Sequence, residues 1–349
     1  MKILELNFEK TWRGGERQTL YNIIGFLAEK NEVDLVCRKG FQLENEAQKA
    51  KVKVISFSNI IQVFWFLCTK AKAYEVIHAQ TSHILTYCLL SKPFHQKKIV
   101  FSRRVDFLPK GFFTKIKYLK TDKIIAVSKA VKNTLELFCK RKDIEVISDV
   151  AIAKKLDIHK TKRFLEDLNI PNSKFIIGTI AALDKSKDPL TTIRAICELK
   201  KQRDDFVVLH FGDGPLFDLC VQAIKDYNLE NQYFLFGFKP NVEDYYSLFD
   251  VFVLNSVEEG LGSSILDAFL YKVPVVGTKT GGIIELLENG RGKACDIQAE
   301  KEIANGINLL LSKRSESRKF QIENAYNYVI LQHSLETISQ KYLSVFIKC

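Results

Sequence analysis

Short apolar runs alternate with amphipathic stretches along most of the chain. Residues 2–6 are a nearly continuous apolar run, and a loop ending in Gly14-Gly15 follows. Residues 16–29 then place Leu20, Ile23, Ile24 and Leu27 at helical spacing. Further apolar runs at 33–37, 52–55, 75–78, 98–101, 123–127 and 144–147 predict strands, with helical segments between most of them. Residues 148–162 break the pattern, being mixed in character with no clean period. The alternation then restarts, with strands predicted at 175–180, 206–211, 233–236, 251–254 and 273–277. Helices are predicted at 189–200, 216–227 and 264–271, two of them opened by Asp188-Pro189 and Gly214-Pro215, since proline is pre-organised for a first turn. After Lys301 the pattern is mostly helical.

Strands alternating with helices predict parallel sheets covered on both faces. The predicted fold class is α/β, with two Rossmann-like domains facing across a cleft. The first domain is expected at residues 1–155 and the second at 156–330, with a final helix over 331–349 packing back on the first. Open α/β sheets bind ligands at the carboxyl ends of their strands, so a crevice between the domains is the expected ligand site.

Length agrees, since 349 residues suggest about two domains. A composition of 46% hydrophobic and 27% charged residues excludes a mainly disordered chain or a small disulfide scaffold. The net charge of +11 is unevenly spread: residues 51–150 carry 19 basic and 7 acidic side chains, and residues 201–300 carry 8 and 16. One basic lobe suggests a single anionic contact face. No RNA- or DNA-binding motif accompanies it, so nucleic acid is not the expected partner. The eight cysteines form no C-x-x-C pair or zinc-like cluster, which fits a reducing cytoplasm. The N-terminus is too short and soon too charged for a secretory segment, and the longest apolar stretch, 60–68, is about half a membrane span.

The strongest chemical signal is Ser256-Val257-Glu258-Glu259-Gly260-Leu261-Gly262-Ser263-Ser264-Ile265-Leu266-Asp267, which follows an apolar strand and opens a helix. Glycines there permit close backbone approach, and amides at a helix start favour an anion. Glu259 precedes the turn and Asp267 lies about two turns into the helix. Two carboxylates flanking an anion site suit a phosphate between two polyol ends, the shape of a nucleotide-sugar.

This segment resembles the E-x7-E signature of GT-B glycosyltransferases, specifically the retaining family 4, or glycosyltransferase group 1. Six further pieces resemble that family in its own order. They are Gly14-Gly15-Glu16-Arg17, Asp122-Lys123-Ile124-Ile125-Ala126-Val127-Ser128, Phe211-Gly212-Asp213-Gly214-Pro215, Phe236-Gly237-Phe238, Pro274-Val275-Val276, and Gly281-Gly282-Ile283-Ile284-Glu285. The resemblance implies a glycosyltransferase in which Glu259 binds donor-sugar hydroxyls and Asp267 the ribose. It assigns the amides of Gly262, Ser263 and Ser264, the amine of Lys187, and Gly14 and Gly15 to the sugar or diphosphate. Phe238 is expected near the base. Glu259 and Lys187 are the expected catalytic pair.

The resemblance also implies a UDP- or GDP-linked sugar as substrate, no separate cofactor and no metal, because a lysine and helix amides can neutralise a leaving diphosphate. The second acid of E-x7-E is Asp267, one methylene shorter than the usual glutamate, and Ala182 stands where the family often has arginine. On the acceptor side, His78 ends a predicted strand, and Arg103 and Arg104 follow another, where they suit a phosphate or an acidic sugar. Residues 59–68 and 112–120 mix aromatics with nearby lysines, as segments in a lipid headgroup layer do.

The expected activity is hexosyl transfer to a saccharide or lipid-linked saccharide in lipopolysaccharide-like glycan assembly. It would take place in the cytoplasm, with a peripheral site on the inner face of the membrane kept open. The alternatives are a catalytically weakened homologue acting as a binding or partner module, and a sugar-nucleotide epimerase of the same fold. A dehydrogenase is disfavoured because no G-x-G-x-x-G follows the first strand.

Overall fold

The computed structural model describes residues 1–239, 241–312 and 316–349. The chain divides into two compact units: Met1–Val150 together with Gln332–Cys349, and Ala151–Leu331.

The first unit holds seven strands: β1 (Lys2–Asn7), β2 (Glu32–Arg38), β3 (Lys53–Phe57), β4 (Val76–Ala79), β5 (Lys98–Arg103), β6 (Lys123–Ala126) and β7 (Glu145–Val146). All pair in parallel, in the order β3-β2-β1-β4-β5-β6-β7. β1 is central, with Ile3 opposite Val33 on one side and Val76 on the other. Its apolar run is long because helices cover both sheet faces, so alternate residues have no water to meet. The strand order reverses between β1 and β4, a topological switch point.

The last helix, Leu335–Lys348, packs on the first, Gly14–Ala28. The rings of Tyr342 and Phe346 stand edge-on to Phe26, with centroids 5.8 and 5.5 Å away. Gly25 permits this approach, since a β-carbon there would collide with Ser339 Oγ.

Among its described residues the second unit holds six strands: β8 (Phe175–Ile180), β9 (Phe206–Phe211), β10 (Tyr233–Leu235), β11 (Val251–Leu254), β12 (Val275–Thr278) and β13 (Lys293–Cys295). They too are parallel, ordered β10-β9-β8-β11-β12-β13. Its core joins Ile177, Val208 and Val253 of the sheet to Ile193, Ile196, Ile303 and Ile307 of the helices Pro189–Lys200 and Glu300–Ser312. The two-sheet α/β architecture expected from the pattern is the one observed.

Two differences are instructive. The unpatterned stretch contains the start of a helix, Ile158–Asp167, capped by Asp157, whose side chain accepts from Lys160 N–H at 3.0 Å. Only Thr161 is fully buried, and the apolar residues Phe164 and Leu165 lie beyond the stretch that reads as unpatterned. The helix is held by Lys160 on Asp244 at 2.8 Å and by Phe164 against the rings of Phe236 and Tyr245. The strand predicted over 144–147 narrows to Glu145–Val146 at the sheet edge. Among the described residues no helix is long and apolar enough to cross a membrane. All eight cysteines are free, and burial pushes the Cys37 and Cys88 thiols up to about 12, so they behave as small hydrophobes.

His210, buried near the end of β9 in the second sheet, is bonded to the Tyr233 hydroxyl at 2.9 Å and the Ala181 carbonyl at 3.3 Å. Burial lowers its pKa from 6.5 to about 4.

Two outcomes are expected. Gly25→Leu should destabilise the protein by about 1–3 kcal/mol through overpacking against the last helix, read as a lower urea midpoint at unchanged m-value. For His210, the unfolded chain binds a proton below 6.5 that the fold refuses until about 4. Its contribution is therefore intact above pH 6.5 and is lost as pH falls toward 4, by about 3 kcal/mol. Urea titrations across that window should show a shallower pH slope in His210→Gln; an unchanged slope would mean that His210 protonates freely in the fold.

Candidate functional site

The loop between β8 and the helix Pro189–Lys200 is shaped by two aspartates. Asp184 Oδ1 accepts from Ser186 N–H at 3.1 Å, Ser186 O–H at 2.6 Å and Lys187 N–H at 3.3 Å. Asp188 stands in the left-handed region at φ +43° and caps the helix by accepting from Thr191. The Ser186 carbonyl, turned outward by this winding, accepts from Val257 N–H at 2.8 Å and Glu258 N–H at 3.2 Å. The loops following the neighbouring strands β8 and β11 are thereby stitched together.

The β11 loop is anchored on its other side. Ser256 N–H donates to Thr278 Oγ1 at 3.0 Å, and the Thr278 hydroxyl donates back to the Ser256 carbonyl at 2.6 Å. The Thr280 hydroxyl donates to the Val257 carbonyl at 2.8 Å. With both loops fixed, Lys187 Nζ forms an ion pair with Glu259 Oε2. The same carboxylate oxygen accepts from the Ser256 hydroxyl at 3.3 Å. Both partners retain some exposure, 22% for the lysine side chain and 15% for the glutamate, so the pair is sheltered yet reachable from solvent.

The helix Ser263–Leu270 begins at Gly262, whose φ of +94° favours glycine. Asp267 lies in this helix and is buried; its charge adds to the effect of burial in raising the Tyr271 hydroxyl. Ser264 contributes its carbonyl to the Tyr246 hydroxyl at 2.8 Å. The Gly-Asp-Gly-Pro turn has a packing reason: a β-carbon on Gly212 or Gly214 would strike the main chain of Ala181 or Leu183. Gly212 N–H donates to the Gly237 carbonyl at 2.9 Å, and Phe238 next to it is 56% exposed. Gly282 is packed as tightly, against the backbone of Gly260 and Leu261.

Lys187, Phe238, Glu259, Gly262, Ser263, Ser264 and Asp267 thus all belong to the second unit, and the structure pairs Lys187 with Glu259. Gly14 and Gly15 belong to the first, where they open the helix Gly14–Ala28. The Glu16 side chain secures that opening by accepting from Arg13 N–H at 2.8 Å and from the Thr11 hydroxyl at 3.2 Å. Burial raises the pKa of Glu16, and these hydrogen bonds oppose the rise.

The acceptor-side residues are placed differently from expectation. His78 is wholly buried, with Nδ1 at 2.6 Å from Glu5 Oε1 and Nε2 at 2.8 Å from Ser102 Oγ. The rings of Tyr342 and Phe346 pack on it. Arg103 is also buried, donating to the Tyr118 hydroxyl at 2.9 Å and stacking over Phe107. Arg104 is ion-paired with Asp149; burial is the largest influence and opposes its charge, but Asp149, Tyr342 and Glu5 together outweigh it and the pKa is raised. These three side chains are engaged inside the first unit and do not offer the open acceptor contact expected of them. The reason is the final helix and neighbouring side chains, which cover a strand end that looked open in sequence.

Asp184, Ser256, Thr278 and Thr280 escaped the sequence reading. The Asp-x-Ser spacing at 184–186 was the available signal for a loop-winding aspartate. Among the described residues no group of three or more His, Cys, Asp or Glu side chains could hold a metal ion.

Residues 160–328 match the family described as glycosyl transferases group 1. An N-acetyl-alpha-D-glucosaminyl L-malate synthase of Bacillus anthracis is 28% identical over 232 residues, which span 65% of this chain and 60% of that protein. The lipopolysaccharide core biosynthesis glycosyltransferase LpsE of Rhizobium meliloti is 22% identical over 99% of this chain and 98% of its own. Among solved structures, Alr3699/HepE of Anabaena in complex with UDP and glucose superimposes over 100% of both chains, with a TM-score of 0.88 at 18% identity. Residues 160–328 therefore belong to the glycosyl transferases of group 1, and the chain as a whole has the GT-B fold shared with such structures.

Proposed function

We propose that this protein is a retaining, metal-independent glycosyltransferase. It moves a hexose-type sugar from a UDP- or GDP-linked donor to a saccharide or lipid-linked saccharide in cell-surface glycan assembly of the lipopolysaccharide type. The observation that carries this reading is the Lys187–Glu259 ion pair in the loops beside the Gly262 helix start. A UDP-linked donor is favoured because the Anabaena protein was solved with UDP-glucose.

An arriving diphosphate takes the Lys187 ammonium, and the Glu259 carboxylate turns to the hydroxyls of the donor sugar. Asp267 serves the ribose, and Phe238 borders the base. As the sugar C1–O bond to the diphosphate breaks, negative charge grows on the leaving oxygen. Lys187 and the amides at Gly262, Ser263 and Ser264 are already in place to stabilise it, without reorganisation during the reaction. The acceptor oxygen bonds to C1 on the face the diphosphate leaves, and the acceptor proton passes to a diphosphate oxygen. Positive charge from the lysine and the helix start takes the place a metal ion would fill.

The lipid-linked acceptor is supported by the surface of the first unit. The helices Ile60–Lys70, Ser82–His95 and Phe112–Lys120 pack side by side, and none contains an acidic residue. Each exposes bulky apolar side chains at helical spacing: Ile61 and Trp65, Leu90 and Phe94, Phe112 and Leu119, with Phe113 at 84% exposure. From Asn59 to Thr121 there are eleven basic and two acidic residues. Exposed apolar groups on helices that carry lysines and no acids suit an anionic bilayer surface at the cytoplasmic face.

Three outcomes are expected. Glu259→Ala should abolish sugar transfer in a protein that unfolds at the wild-type temperature; full activity in that variant would sink the site assignment. Lys187→Ala should weaken UDP or GDP binding by about 1.5–3 kcal/mol by calorimetry, with EDTA making no difference to wild type. In sedimentation with vesicles containing anionic lipid, Phe112→Ser with Phe113→Ser should release the protein into the supernatant, and equal pelleting of both proteins would exclude this face.

A further inference from the structure

The burial of His78, Arg103 and Arg104 leaves the first unit without the cationic acceptor contact expected there. A cavity of the same unit gathers other cationic side chains. It has a volume of about 500 Å³ and is lined by Phe8, Glu9, Lys10, Arg38, Asn59 and His83 among others. Each part follows the carboxyl end of a strand: Phe8, Glu9 and Lys10 follow β1, Arg38 ends β2, Asn59 follows β3, and His83 follows β4. The lining therefore straddles the switch point between β1 and β4, where open α/β sheets place their ligands.

The Arg38 guanidinium is held by aromatic rings, with the Phe8 centroid at 5.3 Å and the Phe41 centroid at 5.6 Å. Among the described residues Arg38 and Lys10 make no ion pair, and neither they nor His83 has a side-chain hydrogen-bond partner. By contrast, Arg103, Arg104 and Arg141 in the same unit are all bonded to protein groups. Ring stacking orients a guanidinium without neutralising it, which leaves its planar fork free for an incoming carboxylate or phosphate. Two helix starts add positive partial charge: Asn59 caps Ile60–Lys70, and His83 sits in the first turn of Ser82–His95. Glu9 is the one carboxylate in the lining, and it suits hydroxyl donors.

We propose that this cavity binds an anionic saccharide, a sugar bearing a phosphate or carboxylate, with Arg38, Lys10 and His83 on the anion and Glu9 on the sugar hydroxyls. Its role as the acceptor subsite rests on the glycosyltransferase reading above; the binding itself does not.

The test follows the histidine ring signals of the full chain by NMR during titration with glucose 6-phosphate, glucuronic acid, glucose and inorganic phosphate. A parallel calorimetric titration with UDP reports the donor site. The sugar phosphate, the sugar acid or both should shift the His83 signals, and which of them does names the anion. Arg38→Gln and the exposed-residue variant Lys10→Gln should each weaken that binding, Arg38→Gln by about tenfold or more, with UDP affinity unchanged. Arg38→Lys should recover part of it, since charge returns without the fork. Uncharged glucose binding as well as the anionic sugars, inorganic phosphate binding as tightly as glucose 6-phosphate, or full affinity in both Gln variants would overturn the proposal. A chain that binds the anionic sugar through Arg38 but no UDP would uphold the cavity and refute the donor reading instead.

Discussion

The carbonyl of Ser186 accepts the amide hydrogens of both Val257 and Glu258, and the candidate donor residues of the second unit depend on that seam. Lys187 is the next residue on one side of it and Glu259 the next on the other. Their charges meet because two loops from adjacent strands are locked main chain to main chain, with Asp184 winding one and Thr278 and Thr280 holding the other. Long side chains on unanchored loops would lose conformational freedom in forming such a pair. Here the loss has largely been met by backbone hydrogen bonds, so the pair can be opened by a ligand without disturbing the frame.

The glycines of the second unit serve the same end. Gly212 and Gly214 let the turn after β9 lie against Ala181 and Leu183, and Gly282 lets the turn after β12 lie against Gly260 and Leu261. Four loops are brought to one edge of the sheet at backbone contact distance. A site built in this way presents main-chain amides and a few anchored side chains, which suits a polyanion surrounded by hydroxyls.

Much of the sheet architecture was legible because parallel strands buried on both faces write themselves as apolar runs, as in Lys2–Asn7 and Phe206–Phe211. The Lys187–Glu259 pairing was legible only as two members of a resemblance; nothing in 72 residues of separation announces contact. The helix Ile158–Asp167 was lost because its first half is basic and polar, and its apolar residues Phe164 and Leu165 come only near its end. His78 was misjudged for a different reason. Sequence shows that a strand ends there, but the rings that cover it, Tyr342 and Phe346, come from the far end of the chain. The cavity around Arg38 was invisible for the same reason in reverse, since its walls come from four separate strand ends that only the sheet order brings together.

That the first unit is closed by residues 332–349 has a consequence for the order of synthesis. A ribosome delivers all seven strands of the first sheet, then the whole second unit, before the helix that seals Phe26 and His78 exists. Throughout that interval the nascent first unit exposes an apolar groove and the Glu5–His78–Ser102 chain to water, while the second unit already holds every residue of its own sheet. The second unit can therefore mature first, and the first must wait for residues 332–349 to do so. Truncation within the last helix would thus damage the end of the protein made earliest.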